Sequence, residues 1–213
     1  MNNLNGVNAK ARLLNLYAKD GYVNAFLRIR WWHANLEKVA EFVPPSGTIL
    51  DLGCGYGILS NYLALASAER NIIGIELSTR KIKYAKKNLP NVQFLNEDIT
   101  RLKLPPCDAV LLLDVLHHLK SYEEQEKLLS YCVQLLGPQG ILLIKEIDNK
   151  PKLKFFVTQL VDNLLYPGDH FYFRGEEEFK KLMGKLNLNV EFHAIHEGKP
   201  LSHVVYVARK KNG

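Results

Sequence analysis

Asp51-Leu52-Gly53-Cys54-Gly55-Tyr56-Gly57 decides the fold. An apolar run, Thr48-Ile49-Leu50, precedes it, and a helical pattern from about Ile58 to Ala68 follows. A strand, a glycine-rich turn and a helix in that order let a ligand approach the backbone closely, with free helix amides just beyond. In an open α/β sheet, the carboxyl end of the first strand is where ligands bind. The spacing is G-x-G-x-G, and Ile58 stands where a dinucleotide fingerprint G-x-G-x-x-G would have its third glycine. A glycine-rich turn alone is common, so the rest of the chain has to decide what it serves.

Outward from the loop, strands and helices alternate. Asn71–Ile75 is a strand candidate, and Ser78 can cap a helix reaching Asn88. Val92–Leu95 is a third strand and Asp108–Leu113 a fourth, apolar enough to be buried on both faces. Ser121 and Glu124 form a capping-box pattern before a helix that Gly137-Pro138 stops. Ile141–Ile144 is the fifth strand. Such alternation builds a parallel sheet through right-handed crossovers. After a helix over 176–186, two strands, 190–194 and 204–207, follow without a helix between them and should pair antiparallel at an edge. Upstream, helices broken at Asp20-Gly21 run to Pro44-Pro45, which cannot continue a helix.

Acids stand at the strand exits. Glu76 ends the second strand and can accept both hydrogen bonds of a ribose diol, or be a solvated turn carboxylate. Asp98 follows the third strand and can accept from an adenine amino group, with Ile99 over the ring. Asp114 ends the fourth and can meet a cationic ligand amine or cap a helix.

Composition narrows the class. The chain has 213 residues, 47% hydrophobic and 23% charged, which is globular and neither disordered nor collagen-like. No uncharged apolar stretch is long enough to span a bilayer, and the first residues show no basic head with an apolar run behind it. Three scattered cysteines, Cys54, Cys107 and Cys132, argue against a disulfide framework or zinc site and fit a reducing cytoplasm, where the chain is expected to reside. A net charge of +6 admits an anionic partner without demanding one.

In combination, the stretches at 49–57 (ILDLGCGYG), 73–77 (IGIEL), 94–99 (FLNEDI), 111–119 (LLLDVLHHL) and 136–146 (LGPQGILLIKE) resemble the class I, Rossmann-like methyltransferases. The resemblance implies an α/β three-layer sandwich around a mostly parallel seven-stranded sheet, in order 3-2-1-4-5-7-6 with strand 7 antiparallel. It implies S-adenosyl-L-methionine as cofactor. It places Asp51, Gly53, Cys54 and Gly55 around the methionine portion, Glu76 on the ribose, Leu77, Asp98 and Ile99 on the adenine, and Asp114 at the methionine end. The expected organisation is an N-terminal helical cover, 1–45, and a cofactor-binding domain, 46–213, with a substrate-side insertion at 153–173.

The methyl acceptor is read mainly from what is missing. No Asn/Asp-Pro-Pro-Tyr/Phe stretch follows the fourth strand; Asp114-Val115-Leu116-His117 stands there instead. Cys107 precedes that strand, at the wrong end of the sheet for carbon-5 pyrimidine chemistry. No appended RNA-binding module is visible. A small, lipid-like or anionic acceptor is therefore favoured. An RNA methyltransferase and a non-catalytic nucleotide-binding module stay as alternatives, and an NAD-dependent oxidoreductase fits the loop spacing less well. Oligomeric state is left open. His117 or His118 can serve as a general base, or pack locally. Arg28, Arg30, Lys145, Asp148 and Tyr172 are candidates for holding the acceptor, and the aromatics of 153–173 either pack against the sheet or wall the acceptor. Asp114, Asp148 and Asn149 loosely match a hard-cation site, but the register puts Glu146 where the acid should fall, so no metal is expected. His33, His170, His193 and His196 join no visible constellation, and His203 stands alone after Pro200.

Overall fold

A computed structural model describes residues 2–99, 103–165, 168 and 170–211. Seven strands form one sheet: β1 (Gly47–Leu52), β2 (Arg70–Ile75), β3 (Val92–Leu95), β4 (Cys107–Leu113), β5 (Leu136–Ile147), β6 (Leu188–Ala194) and β7 (His203–Lys210). Their order is β3-β2-β1-β4-β5-β7-β6. Strands β1 to β5 pair in parallel, and β7 runs antiparallel to both its neighbours. The expected sheet order and the antiparallel edge pair are those observed.

Strand alternation sorts the core into two layers. Ile49, Ala109, Leu111, Leu143 and Val205 meet the face packed by α1 (Asn2–Leu16), α2 (Tyr22–His33), α3 (Leu36–Glu41) and α4 (Ile58–Ala66). Leu50, Val110, Leu112, Leu142 and Tyr206 meet the opposite face, packed by α6 (Tyr122–Leu135) and α8 (Glu176–Lys185). A short α5 (Thr79–Ala85) lies over Phe94. The helices before β1 therefore share a continuous apolar core with the sheet.

Several element bounds differ from their sequence expectation. Helix α5 stops at Ala85 rather than Asn88, whose φ of 56° is left-handed. Strand β5 begins at Leu136, earlier than Ile141. Leu136 pairs with Cys107 ahead of Gly137-Pro138, and the register resumes at Ala109 opposite Ile141. The 153–173 segment contains a helix, α7 (Lys152–Leu165), and then an extended run; residues 166, 167 and 169 lie outside the described residues. The α6 cap forms in modified shape. Ser121 Oγ accepts from the Glu124 amide at 3.2 Å, while the Glu124 carboxylate accepts from Lys120 N at 3.0 Å, one residue before the cap.

Candidate cofactor and acceptor site

The glycine loop leaves β1 over the end of β2. The amides of Gly53 and Cys54 both donate to Ile75 O, at 2.8 and 2.9 Å, so the loop is tied to its neighbour strand. Gly53 has φ +77°, and a Cβ there would come within 2.6 Å of Val115 Cγ2, so both backbone and space require glycine. Gly55 differs: its φ is +58°, and nothing lies within 4 Å of where its Cβ would stand. The loop's outer edge is open at that point.

Glu76 braces the loop. One carboxylate oxygen accepts from Gly55 N at 3.1 Å and the other from Ser78 N at 2.9 Å. Leu77, next along, leaves 70% of its surface exposed, an apolar platform at the β2 exit. Asn96 shapes the same exit by donating to Glu76 O at 3.0 Å and Leu77 O at 2.8 Å, a brace that the sequence reading did not single out. Asp98 is half-buried beyond β3, and Ile99 packs on the neighbouring core. Asp51 sits below the loop, 3% exposed, its carboxylate accepting from Ser60 Oγ. Burial raises its pKa to about 6. Burial also pushes the Cys54 thiol well up, with Asp51 and Glu76 adding to the shift.

Helix α2 folds over this loop. Tyr22 and Phe26 make edge contacts with Tyr56 at 6.3 and 5.3 Å between ring centres, and Tyr22 meets Tyr84 at 5.6 Å. Tyr17 Oη donates to Tyr56 O at 2.7 Å.

At the exits of β4 and β5 the charged residues divide. Lys145 and Glu146 are consecutive, so their side chains leave β5 on opposite faces. On the α2 side, Lys145 Nζ lies 2.7 and 2.8 Å from the two oxygens of Asp114. Arg30 of α2 adds a third bond, 2.7 Å to Oδ2. Lys145 has no exposed side-chain surface, and burial lowers its pKa to about 8 against the pull of Asp114. Lys145 and Arg30 hold the Asp114 carboxyl well below the usual range despite its burial. His33 and His203 join this cluster, their rings 5.8 Å apart. Burial, with Arg30 and Lys145 adding to it, lowers His33 to about 4. His203 is pulled well down, chiefly by burial and next by Lys145. Sequence separation hid both histidines. The period-2 register of β7 and the position of His33 at the end of α2 are the signals that place them.

On the other face, Glu146 holds the turn after β4. Its Oε1 accepts from Val115 N at 3.1 Å and Leu116 N at 2.8 Å, and its Oε2 pairs with His117 Nδ1. His117 is 2% exposed and engaged there, whereas His118 is exposed. Phe173 stacks on His117 at 5.3 Å, and Phe171 meets His118 edge-on at 5.3 Å. Tyr172, between them, packs its ring on Tyr122 at 5.3 Å, and its amide donates to His117 O. Of the acceptor candidates, Arg30 and Lys145 come together. Arg28 stays on the exposed face of α2, bonded to Asn24. Asp148 is buried beyond β5, its amide donating to Ser202 O at 2.7 Å.

This sheet order, with a glycine loop at the β1 exit and an acid at the β2 exit, defines a class I, Rossmann-like fold of the S-adenosylmethionine-dependent type. The family model for a methyltransferase domain matches residues 24–192, and the chain belongs to that family. An (S)-coclaurine N-methyltransferase of Thalictrum flavum subsp. glaucum is 31% identical over 109 residues, 48% of this chain and 29% of that protein. A ubiquinone biosynthesis O-methyltransferase of Psychrobacter cryohalolentis is 28% identical over 169 residues, 68% of this chain and 63% of that protein. The chain thus spans less than two thirds of either relative. The magnesium protoporphyrin IX methyltransferase of Synechocystis PCC 6803, solved with bound SAH, shares the fold with a TM-score of 0.66 at 21% identity, covering 99% of this chain and 96% of that one.

Proposed function

We propose that the chain transfers the methyl group of S-adenosylmethionine to a small acceptor with an apolar body and an anionic group. The acceptor half of this reading is carried by the charge around Asp114. Arg30 and Lys145 bring two cations against one carboxylate, while His33 and His203 are held neutral. Lys145 has no exposed side-chain surface and Arg30 is mostly covered, so the excess cation is poorly solvated until an anion completes it. Phe171 and Phe173 stand on the His117–His118 turn that follows Asp114 in the chain, and in this reading they supply the acceptor's apolar wall at the same end of the sheet.

The residues at the β1 and β2 exits suit the cofactor. Gly55 leaves open space over the loop, Glu76 aims its carboxylate along it, and Leu77 offers an exposed apolar surface where an adenine would rest. In this reading Gly53, Cys54 and Gly55 surround the methionine portion, with Asp51 fixing the loop from beneath. Glu76 accepts from the ribose hydroxyls, Asp98 and Ile99 read the adenine, and Asp114 borders the methionine end. When bound, S-adenosylmethionine supplies a sulfonium methyl that an aligned nucleophile can take in line. The chain's own work is to orient the acceptor and exclude water, which lowers the barrier by proximity. Where the acceptor must lose a proton, His118 has the exposure to take it, while His117 stays committed to Glu146. His117 is in this view a positioning residue.

Calorimetry with S-adenosylhomocysteine, then transfer of labelled methyl to matched neutral and carboxylated small acceptors, tests both halves. Absence of S-adenosylhomocysteine binding removes the cofactor reading. Preference for the neutral acceptor of each pair removes the anionic one.

A further inference from the structure

Helix α7 carries an outward apolar face as well as an inward one, where Phe155 meets Phe173 at 5.4 Å. Leu153, Phe156, Leu160 and Leu164 are 76, 63, 61 and 80% exposed, while Thr158 on its inner side is 1% exposed. Their spacing of three, four and four residues lines the four up on one face over three turns. A stripe of four large apolar residues facing water is an interaction surface more often than an accident. It also has a neighbour. Ile29 and Trp32 of α2 are 62 and 54% exposed, against 6% for the adjacent Trp31. The 196–199 turn links the two helices: Lys154 of α7 donates to His196 O at 2.8 Å, and Lys199 Nζ stands 4.9 Å from the centre of the Trp32 ring.

Charge says what covers this surface. The segments 22–33, 150–165 and 196–201 contain six Lys and Arg and two acidic residues. Arg30 turns inward to Asp114, but Lys150, Lys152 and Arg28 are exposed beside the apolar stripes. Apolar side chains flanked by lysines, with a tryptophan at the edge, match the boundary between headgroups and acyl chains of a negatively charged membrane. A second copy of the chain would bring the same lysines against themselves. Among the described residues no helix is long and apolar enough to cross a bilayer. We propose that the outer faces of α7 and α2 form a docking surface on which the protein lies against an anionic lipid bilayer.

The test is sedimentation with vesicles of phosphatidylcholine, with and without phosphatidylglycerol. The wild-type chain should sediment with the mixed vesicles, less so as salt rises, and Trp32 emission should shift to the blue. Leu160→Glu with Leu164→Glu should weaken binding about tenfold or more for each leucine replaced. Lys150→Glu with Lys152→Glu should abolish the preference for phosphatidylglycerol. All four positions are exposed, so the variants should melt with the wild type. The proposal is overturned by no sedimentation, by equal sedimentation of wild type and variants, or by unmoved Trp32 emission. A wild-type dimer in light scattering that the leucine variant renders monomeric also overturns it, since a second copy then covers the ridge. Vesicle binding requires no methyl transfer, so this test stands or falls apart from the proposed activity.

Discussion

Arg30 and Asp114 are 84 positions apart in sequence, yet their side chains meet at 2.7 Å and join α2 to the end of β4. Lys145 holds the same carboxylate from below. The pairing ties α2 to the β4 exit, where the acceptor is proposed to bind. Arg30→Met should therefore weaken an anionic acceptor by about tenfold to a hundredfold in KM, the range for a hydrogen bond to a charged group, with kcat less affected. Steady-state kinetics and calorimetry separate the two anions that could sit there. A variant that loses S-adenosylhomocysteine affinity and keeps its acceptor KM would assign Arg30 to the cofactor's carboxylate instead.

Glu76 has two oxygens and two backbone donors, Gly55 N and Ser78 N. A ribose diol competes for the same lone pairs, which a carboxylate can share because it accepts about four bonds. Glu76→Ala should lower S-adenosylhomocysteine affinity by about ten- to a hundredfold, and Glu76→Gln by less, because the amide keeps one acceptor oxygen. Calorimetry at fixed pH measures both. Equal affinities in all three proteins would detach Glu76 from the ribose.

Glu146 gathers three donors on one buried carboxylate: Val115 N, Leu116 N and His117 Nδ1. Glu146→Ala leaves a buried amide, a half-buried amide and a buried imidazole without their acceptor. The expected cost is roughly 3 kcal/mol, at one or more for each orphaned donor, read as a lower urea midpoint. His117→Ala should cost less, since the two amide bonds survive. A Glu146→Ala chain as stable as wild type would mean that the turn after β4 is held by packing alone.

The sheet order was legible because each strand of the parallel part is a short apolar run closed by a loop signal. The 51–57 loop and Glu76 mark the strand ends at which a ligand is expected. The split at Lys145 and Glu146 was harder to see. The sequence marks Lys145 as an acceptor candidate and Glu146 only as an off-register acid. The strand period already sends them to opposite faces, but the partners, Asp114 with Arg30 on one side and His117 on the other, come from segments far away in sequence. His33 and His203 share no site in the sequence for the same reason: no local pattern brings α2 beside β7. The sequence leaves the aromatics of 153–173 open between core packing and a wall over the acceptor. Phe171 and Phe173 do pack on the histidine pair. Leu153, Phe156, Leu160 and Leu164 face outward, because periodicity shows that a helix has an apolar face and not which way that face turns.

Lys145 links the site to pH. Its folded-state pKa is lowered from 10.5 to about 8, first by burial, with Asp114 pulling the other way. Below that value it is an ammonium and the cluster keeps its cation excess; above it, Arg30 and Asp114 balance. Binding of an anionic acceptor should therefore weaken as pH rises through about 8, seen as a KM that climbs across roughly pH 7 to 9. Stability of the unliganded chain should move the opposite way. A lysine with a lowered folded-state pKa binds fewer protons folded than unfolded between the two values, so its contribution rises with pH from about 8 to 10.5. Lys145→Met should remove both slopes, and bind the anionic acceptor weakly at every pH. The wild-type-minus-variant difference in KM and in urea midpoint isolates this residue from every other titrating group. A flat acceptor KM in the wild type over that range, with the stability slope intact, would show that Lys145 loses its proton there without touching the acceptor.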